Sequence, residues 1–186
     1  MKDEKIVQLF LNRNEAALTE TEKKYGNYLF KIAHNILKDL EDCKESVNDT
    51  YLKTWNSIPP NRPNVLSTYL GKIIREVSID LFRKETSAKR GGTEYSYSIS
   101  ELEESLSKGN DTENVVEENL LAKAISDYLR CISAIQADIF VCRYYFADSI
   151  ADISKYTGYS QAKLKSMLYR IRQGLKEHLE SEGYYL

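Results

Sequence analysis

Lys165, Ser166, Tyr169 and Arg170 lie close together in the stretch Ser149–Leu179, and their side chains suit one kind of chemistry. Lysine and arginine can bond the O6 and N7 edge of guanine, while tyrosine can pack on a thymine methyl or bond a phosphate. Gln161 and Lys163 fall on the first turn of the same expected helix, where free backbone N–H groups favour an anion. Arg172 and Lys176 lie further along and suit backbone contacts or a solvated face.

A helix-turn-helix pattern would present these residues. A short helix carries Ile150, Ala151 and Ile153 and breaks at Thr157-Gly158-Tyr159. Gly158 suits the positive-φ position that ends a helix, and Ser160 suits the cap of the next. Tyr159 and Leu164 stand where a hydrophobic staple would cross that cap. Leu164, Leu168, Ile171, Leu175 and Leu179 then share one narrow face, with the basic residues on another. Such a second helix is shaped for a DNA major groove. Two helices about a glycine turn are also a common packing unit, so the pattern alone leaves DNA contact open.

The 186-residue chain is 42% hydrophobic and 29% charged, the balance of a folded, soluble protein. Its longest apolar run falls far short of the roughly 18 residues of a membrane span. The N-terminus has early acidic residues and no signal-peptide layout, so a cytoplasmic location is expected. Cys43, Cys131 and Cys142 are odd in number and widely spaced, which argues against a disulfide framework or a metal site. The net charge of −2 hides an asymmetry. Residues 92–119 carry −7, whereas 61–90 carry +4 and 155–179 carry +5. Basic segments on either side of an acidic strap suit a polyanionic partner.

Helical periodicity dominates the whole chain. A short amphipathic helix is expected over 5–18, and a clearer one over Tyr25–Leu37. The next starts near Asp39 or Glu41 and turns Cys43, Val47, Thr50, Tyr51, Thr54 and Trp55 inward. All three prolines fall in Ile58–Pro63, which must be a loop. A fourth helix from about Asn64 to Thr86 closes a domain spanning 1–90. Residues 91–114 are rich in Ser, Gly, Asn and Glu and read as a flexible acidic linker. A second domain, 115–186, begins with a helix carrying Leu120, Leu121, Ala124, Ile125, Tyr128 and Leu129. A further helix carries Ile135, Ile139, Phe140 and Tyr144, and the helix-turn-helix completes it. The expected fold is therefore all-α: two small helical domains joined by an acidic linker, with the helix-turn-helix in the second.

Three segments of this layout resemble a known family, the small two-domain RNA polymerase sigma factors of the extracytoplasmic-function group. Asp42–Trp55 (DCKESVNDTYLKTW) is similar to the family's D-A-E-D-x-V-Q-D-T-F-x-x-x-W segment. Tyr69–Arg83 (YLGKIIREVSIDLFR) is similar to its W-L-x-x-I-A-R-N-x-x-x-D-x-x-R helix. Ser160–Arg172 (SQAKLKSMLYRIR) resembles S-x-G-T-V-K-S-R-L-x-R-A-R. The departures include Cys43-Lys44, Asn48, Tyr69, Glu76, Ala162-Lys163 and Met167, and they bear on promoter contacts more than on fold.

The resemblance implies a first domain that binds core RNA polymerase and the promoter element near the start site. Glu45, Asn48, Asp49 and Lys53 would dock on the polymerase, where paired charges set orientation and encounter rate. Asn61, Arg62, Asn64, Ser67 and Thr68 would hold locally melted DNA, with Lys72 and Arg75 tracking phosphates. Tyr69 could stack on a base or sit in the core. In the second domain Ser160, Gln161, Lys163, Lys165, Ser166, Tyr169, Arg170 and Arg172 would meet the more distant, double-stranded element. The linker would thread the polymerase towards the RNA exit path. Family members are commonly held inactive by an anti-sigma factor.

No catalytic residue is assigned, and neither a cofactor nor a metal is expected. His34 and His178 lack the partners of a catalytic site. The rival readings are a stand-alone helix-turn-helix regulator and a protein-interaction adaptor.

Overall fold

The computed structural model describes residues 1–85, 92–106 and 115–184, and every regular element among them is helical. The chain forms two compact units, Met1–Thr93 and Glu94–Leu186.

The first unit holds α1 (Asp3–Leu11), α2 (Ala16–Leu37), α3 (Leu40–Ser57) and α4 (Leu66–Glu85). Helices α2, α3 and α4 each pack against the other two, and α1 lies on α2. Ile6, Phe10, Leu29, Ile36, Ile58, Leu66, Leu70 and Ile74 are fully buried between them. Asp39 starts α3, its carboxylate accepting from the backbone N–H of Glu41 (2.8 Å) and Asp42 (3.2 Å). Thr50 and Thr54 are buried by bonding back to the carbonyls of Ser46 (2.8 Å) and Thr50 (2.7 Å), which lets small polar residues line a helix contact. Burial, with Asp42 and Asp39 nearby, pushes the Cys43 thiol up to about 11, so it is an inert packing group.

The expected single helix over 5–18 is in fact two. The chain breaks after Leu11, with Arg13 at φ 54° and the Asn14 side chain accepting from the Ala16 N–H at 2.9 Å. Local side-chain bonding at a polar Asn-Arg-Asn run wins over the apolar period. Ala17 and Leu18 therefore belong to the first turn of α2.

The second unit contains α5 (Glu94–Leu106), α6 (Val115–Cys131), α7 (Ala134–Phe140), a π-helical turn (Val141–Tyr145), α8 (Ile150–Thr157) and α9 (Gln161–Ser181). Its core joins Ala124, Ile139, Phe140, Tyr144, Ile153 and the α9 stripe Leu164, Leu168, Ile171, Leu175 and Leu179. Leu120 and Ile135, expected inside, are 54% and 40% exposed, because they sit at the margins of their helices' buried faces.

The largest correction concerns the expected linker. Residues 94–106 form α5, which packs on α9 and the π-helical turn, with Leu102 and Leu106 against the core. Its inward face also carries Glu94, Ser98, Glu101 and Ser105, so the helix is held as much by polar contacts as by apolar ones. Of the expected linker, residue 91 and residues 107–114 lie outside the described residues, as does Thr86 at the expected end of the fourth helix.

Candidate nucleic-acid interfaces

In the second unit the helix-turn-helix is built as its residues dictate. Ser149 caps α8 by accepting from the Asp152 N–H at 3.0 Å, and Gly158 ends it at φ 72°. Ser160 caps α9, its hydroxyl accepting from the Lys163 N–H at 3.3 Å. The Ser160 side chain is thus committed to the cap. Tyr159 packs against the core beside Leu164, and the Lys163 ammonium lies over its ring at 3.8 Å.

Beyond the cap, Gln161, Lys163, Lys165, Ser166, Tyr169 and Arg170 are all exposed, Gln161 in the first turn and the others off the leucine stripe of α9. Tyr169 is 56% exposed, an aromatic left uncovered among cations. Lys165 and Arg170 make no ion pair with any described residue. Two guanidinium or ammonium groups beside a bare phenol can serve base edges, a thymine methyl or phosphates.

Arg172 is different: its side chain is held against α5 and the π-helical turn instead of standing in solvent. Its side chain is only 14% exposed. Its Nε donates to Ser105 Oγ at 2.9 Å and its Nη1 to the Tyr144 hydroxyl at 2.6 Å. The Glu101 carboxylate stands 3.7 Å from Nη1. Glu101 also accepts from Arg143 at Nη2 (2.7 Å) and Nε (3.2 Å) and from the Tyr144 hydroxyl (3.1 Å). Arg143 Nη1 in turn donates to Glu94 (2.8 Å) and to the Asp148 carbonyl (3.0 Å). Burial alone would favour neutral Arg143, but the carboxylates of Glu101 and Glu94 outweigh it and raise its pKa above the ordinary value. Burial pushes the Tyr144 phenol up to about 12, against the opposing pull of Arg172.

In the first unit the loop 58–65 and the start of α4 present Arg62, Asn64 and Thr68 to solvent, with Ser67 half-buried. Asn61 is exposed but tethered, its Nδ2 donating to the Ser57 carbonyl at 3.0 Å at the end of α3. The two alternatives for Tyr69 meet halfway: the ring is half-buried and its hydroxyl donates to Ser57 Oγ at 2.8 Å. It forms one side of a shallow groove of about 390 Å³ between α3 and α4, shared with Lys53, Asn56, Ser57 and Ile73. Lys72 is exposed and stands 3.8 Å from Glu76, a pair too open to hold it firmly. Arg75 is half-buried and already engaged by a neighbour.

On α3, Glu45, Asn48, Asp49 and Lys53 are exposed on one stripe. Leu52 stands among them, 58% exposed, and the charge pattern by itself did not single it out. Its signal was an apolar residue at helical spacing from the polar stripe rather than from the buried one. A second groove, between α2 and α3, is lined by Lys23, Lys24, Asn27, Lys44, Asn48 and Tyr51. Burial pushes the Tyr51 phenol up to about 12.

Among the described residues no group of His, Cys, Asp and Glu is placed to hold a metal, and no helix is long and apolar enough to cross a membrane. Residues 23–88 match the family model described as sigma-70 region 2. No curated protein matches the chain. The matched segment takes in most of α2, all of α3 and α4, and the loop between them. It supports a sigma factor of the sigma-70 family, in which this helical unit binds RNA polymerase and takes part in promoter melting.

Proposed function

We propose that the chain is an extracytoplasmic-function type sigma factor that directs core RNA polymerase to specific promoters and helps open the DNA. The observation that carries this reading is the pairing of a sigma-70 region 2 match over residues 23–88 with a second unit whose capped helix-turn-helix exposes Lys165, Ser166, Tyr169 and Arg170. The first unit docks on polymerase through the α3 stripe of Glu45, Asn48, Asp49 and Lys53, joined by Leu52. An exposed apolar side chain inside a polar rim has the layout of a docking patch, apolar at its centre and polar at its border. The 58–65 loop and the start of α4, with Arg62, Asn64, Ser67, Thr68 and Lys72, hold the melted element. The α9 face reads the duplex element. The protein acts in the cytoplasm, without a cofactor and without chemistry of its own.

The test is run-off transcription by purified chain and core polymerase on genomic fragments, alongside co-elution of the two. A sigma factor co-elutes and changes start-site choice, and it shifts specific duplex only with polymerase present. Specific binding to duplex by the chain alone, with no effect on polymerase, would establish a stand-alone regulator instead.

A further inference from the structure

The α9 positions 165, 169, 172 and 176 are spaced as one helical stripe, so Arg172 shares the side of the helix that shows Lys165 and Tyr169 to solvent. Its side chain is nonetheless only 14% exposed. What covers it is the Tyr144 hydroxyl, which accepts from Nη1 at 2.6 Å, and α5, whose sequence EYSYSISELEESL carries four glutamates and no basic residue. The covering contacts are chemically those of a nucleic-acid backbone. A carboxylate stands 3.7 Å from Nη1, and a hydroxyl accepts from Nε at 2.9 Å. Carboxylate and phosphate compete for the same planar fork of donors.

From this we infer that Arg172 is gated: Glu101 and Ser105 of α5, with Tyr144, keep this cation off DNA, and turning its side chain away from them hands it to a phosphate. The inference rests on α9 being the DNA-reading helix. It does not require α5 to leave. Glu94 and Glu101 remain on Arg143 at 2.8 and 2.7 Å, and Leu102 and Leu106 remain on the core. Only the hold on Arg172 is weak enough to open. Glu101 is about one-third exposed, so its attraction across 3.7 Å is screened by water and salt. The pairing of Glu101 with Arg143, by contrast, is short and buries the cation, so it does not open at comparable cost. The ligand class is the sugar–phosphate backbone of duplex DNA flanking the site read by Lys165 and Tyr169.

The experiment titrates the full chain, bound to core RNA polymerase, against a fluorescent duplex carrying a promoter it selects, at several salt concentrations, following anisotropy, with circular dichroism of the free chain as a check on folding. Ser105→Ala combined with Tyr144→Phe, which releases Arg172 and leaves both carboxylates on Arg143, should tighten binding about three- to tenfold and steepen the salt dependence by about one counterion. Adding Arg172→Ala should erase both changes. Arg172→Ala in the otherwise unchanged chain folds without disturbing α5's hold on Arg143, and should cost less than about twofold, whereas Lys165→Ala costs more. Two results would overturn the gate. One is an unchanged affinity and salt slope in the Ser105→Ala, Tyr144→Phe chain while Lys165→Ala still weakens binding. The other is a loss from Arg172→Ala alone as large as that from Lys165→Ala. If Lys165→Ala and Arg170→Ala also leave DNA binding untouched, the failure lies with α9 as a DNA reader, and the gate falls with it.

Discussion

Lys165 and Arg170 differ from Arg172 only in what their neighbours do with the charge. All three are cations on one helix, but the first two find no partner among the described residues and the third is bound on two sides. Lys165→Ala or Arg170→Ala should therefore weaken the complex of polymerase, chain and promoter by about 1–3 kcal/mol where the side chain reads a base. Thermal stability should stay within about 0.5 kcal/mol, as for surface changes generally. Footprinting over the distant promoter element separates base reading, which relaxes one position, from phosphate contact, which weakens all sequences alike. A second residue-scale case concerns packing. The Tyr128 hydroxyl donates to the Ile171 carbonyl at 2.9 Å, and a Cβ added at Gly174 would lie 2.5 Å from that oxygen. Gly174 is what lets the phenol reach the α9 backbone. Gly174→Ala should destabilise the native chain by about 1–2 kcal/mol, because the phenol must move. In a Tyr128→Phe background the same change should be neutral or stabilising, since the oxygen is gone and alanine has the better helix propensity by about 1 kcal/mol. Urea unfolding of the four chains in this cycle reads the change of sign directly.

The helices divide by how their inward faces are made. α2, α4 and α9 bury leucine, isoleucine and aromatic stripes, and periodicity in the sequence marks those stripes plainly. The caps at Asp39 and Ser160 and the positive φ at Gly158 also follow from residue type alone. α5 defeats that method because half of its inward face is glutamate and serine. Its partner, Arg143, lies far along the chain, and no local window contains both. The break between α1 and α2 was hidden for the opposite reason, since apolar residues continue on both sides of a turn made by Asn12–Asn14. Arg172 looked available because a helix sequence shows which face a residue takes but not what lies over it. The α3 stripe gives the prediction at this scale. Leu52 is mostly in solvent, so Leu52→Asp should leave unfolding nearly unchanged while removing the apolar centre of the docking face. A loss of at least about 2 kcal/mol in core-polymerase affinity is expected, on the scale of a hot spot. Co-elution and competition against the unchanged chain measure it, and an unaltered affinity would move the docking surface elsewhere on the unit.

At the scale of the whole molecule, charge sorts by function in the sequence but not by domain. The acidic run is a single feature of the chain, yet its glutamates at 94 and 101 are structural parts of the second unit. Arg143 has only 3% of its side chain exposed, and its two carboxylate partners both come from α5. Without α5 that cation would face a dry interior with only the Asp148 carbonyl to satisfy it. Removing one side of a buried, paired charge typically costs about 3–5 kcal/mol, a large share of a small domain's stability. The loss of Leu102 and Leu106 from the core adds to this. A fragment beginning at Glu94 should therefore unfold cooperatively on its own, whereas one beginning at Val115 should be less stable by at least that amount, or unfolded at room temperature. High salt should not rescue the shorter fragment, because screening acts on exposed charges and not on a buried one. Equilibrium unfolding of the two fragments in urea decides the matter. Equal midpoints would mean that α5 rests on the second unit without supporting it, and that Arg143 finds another way to be satisfied.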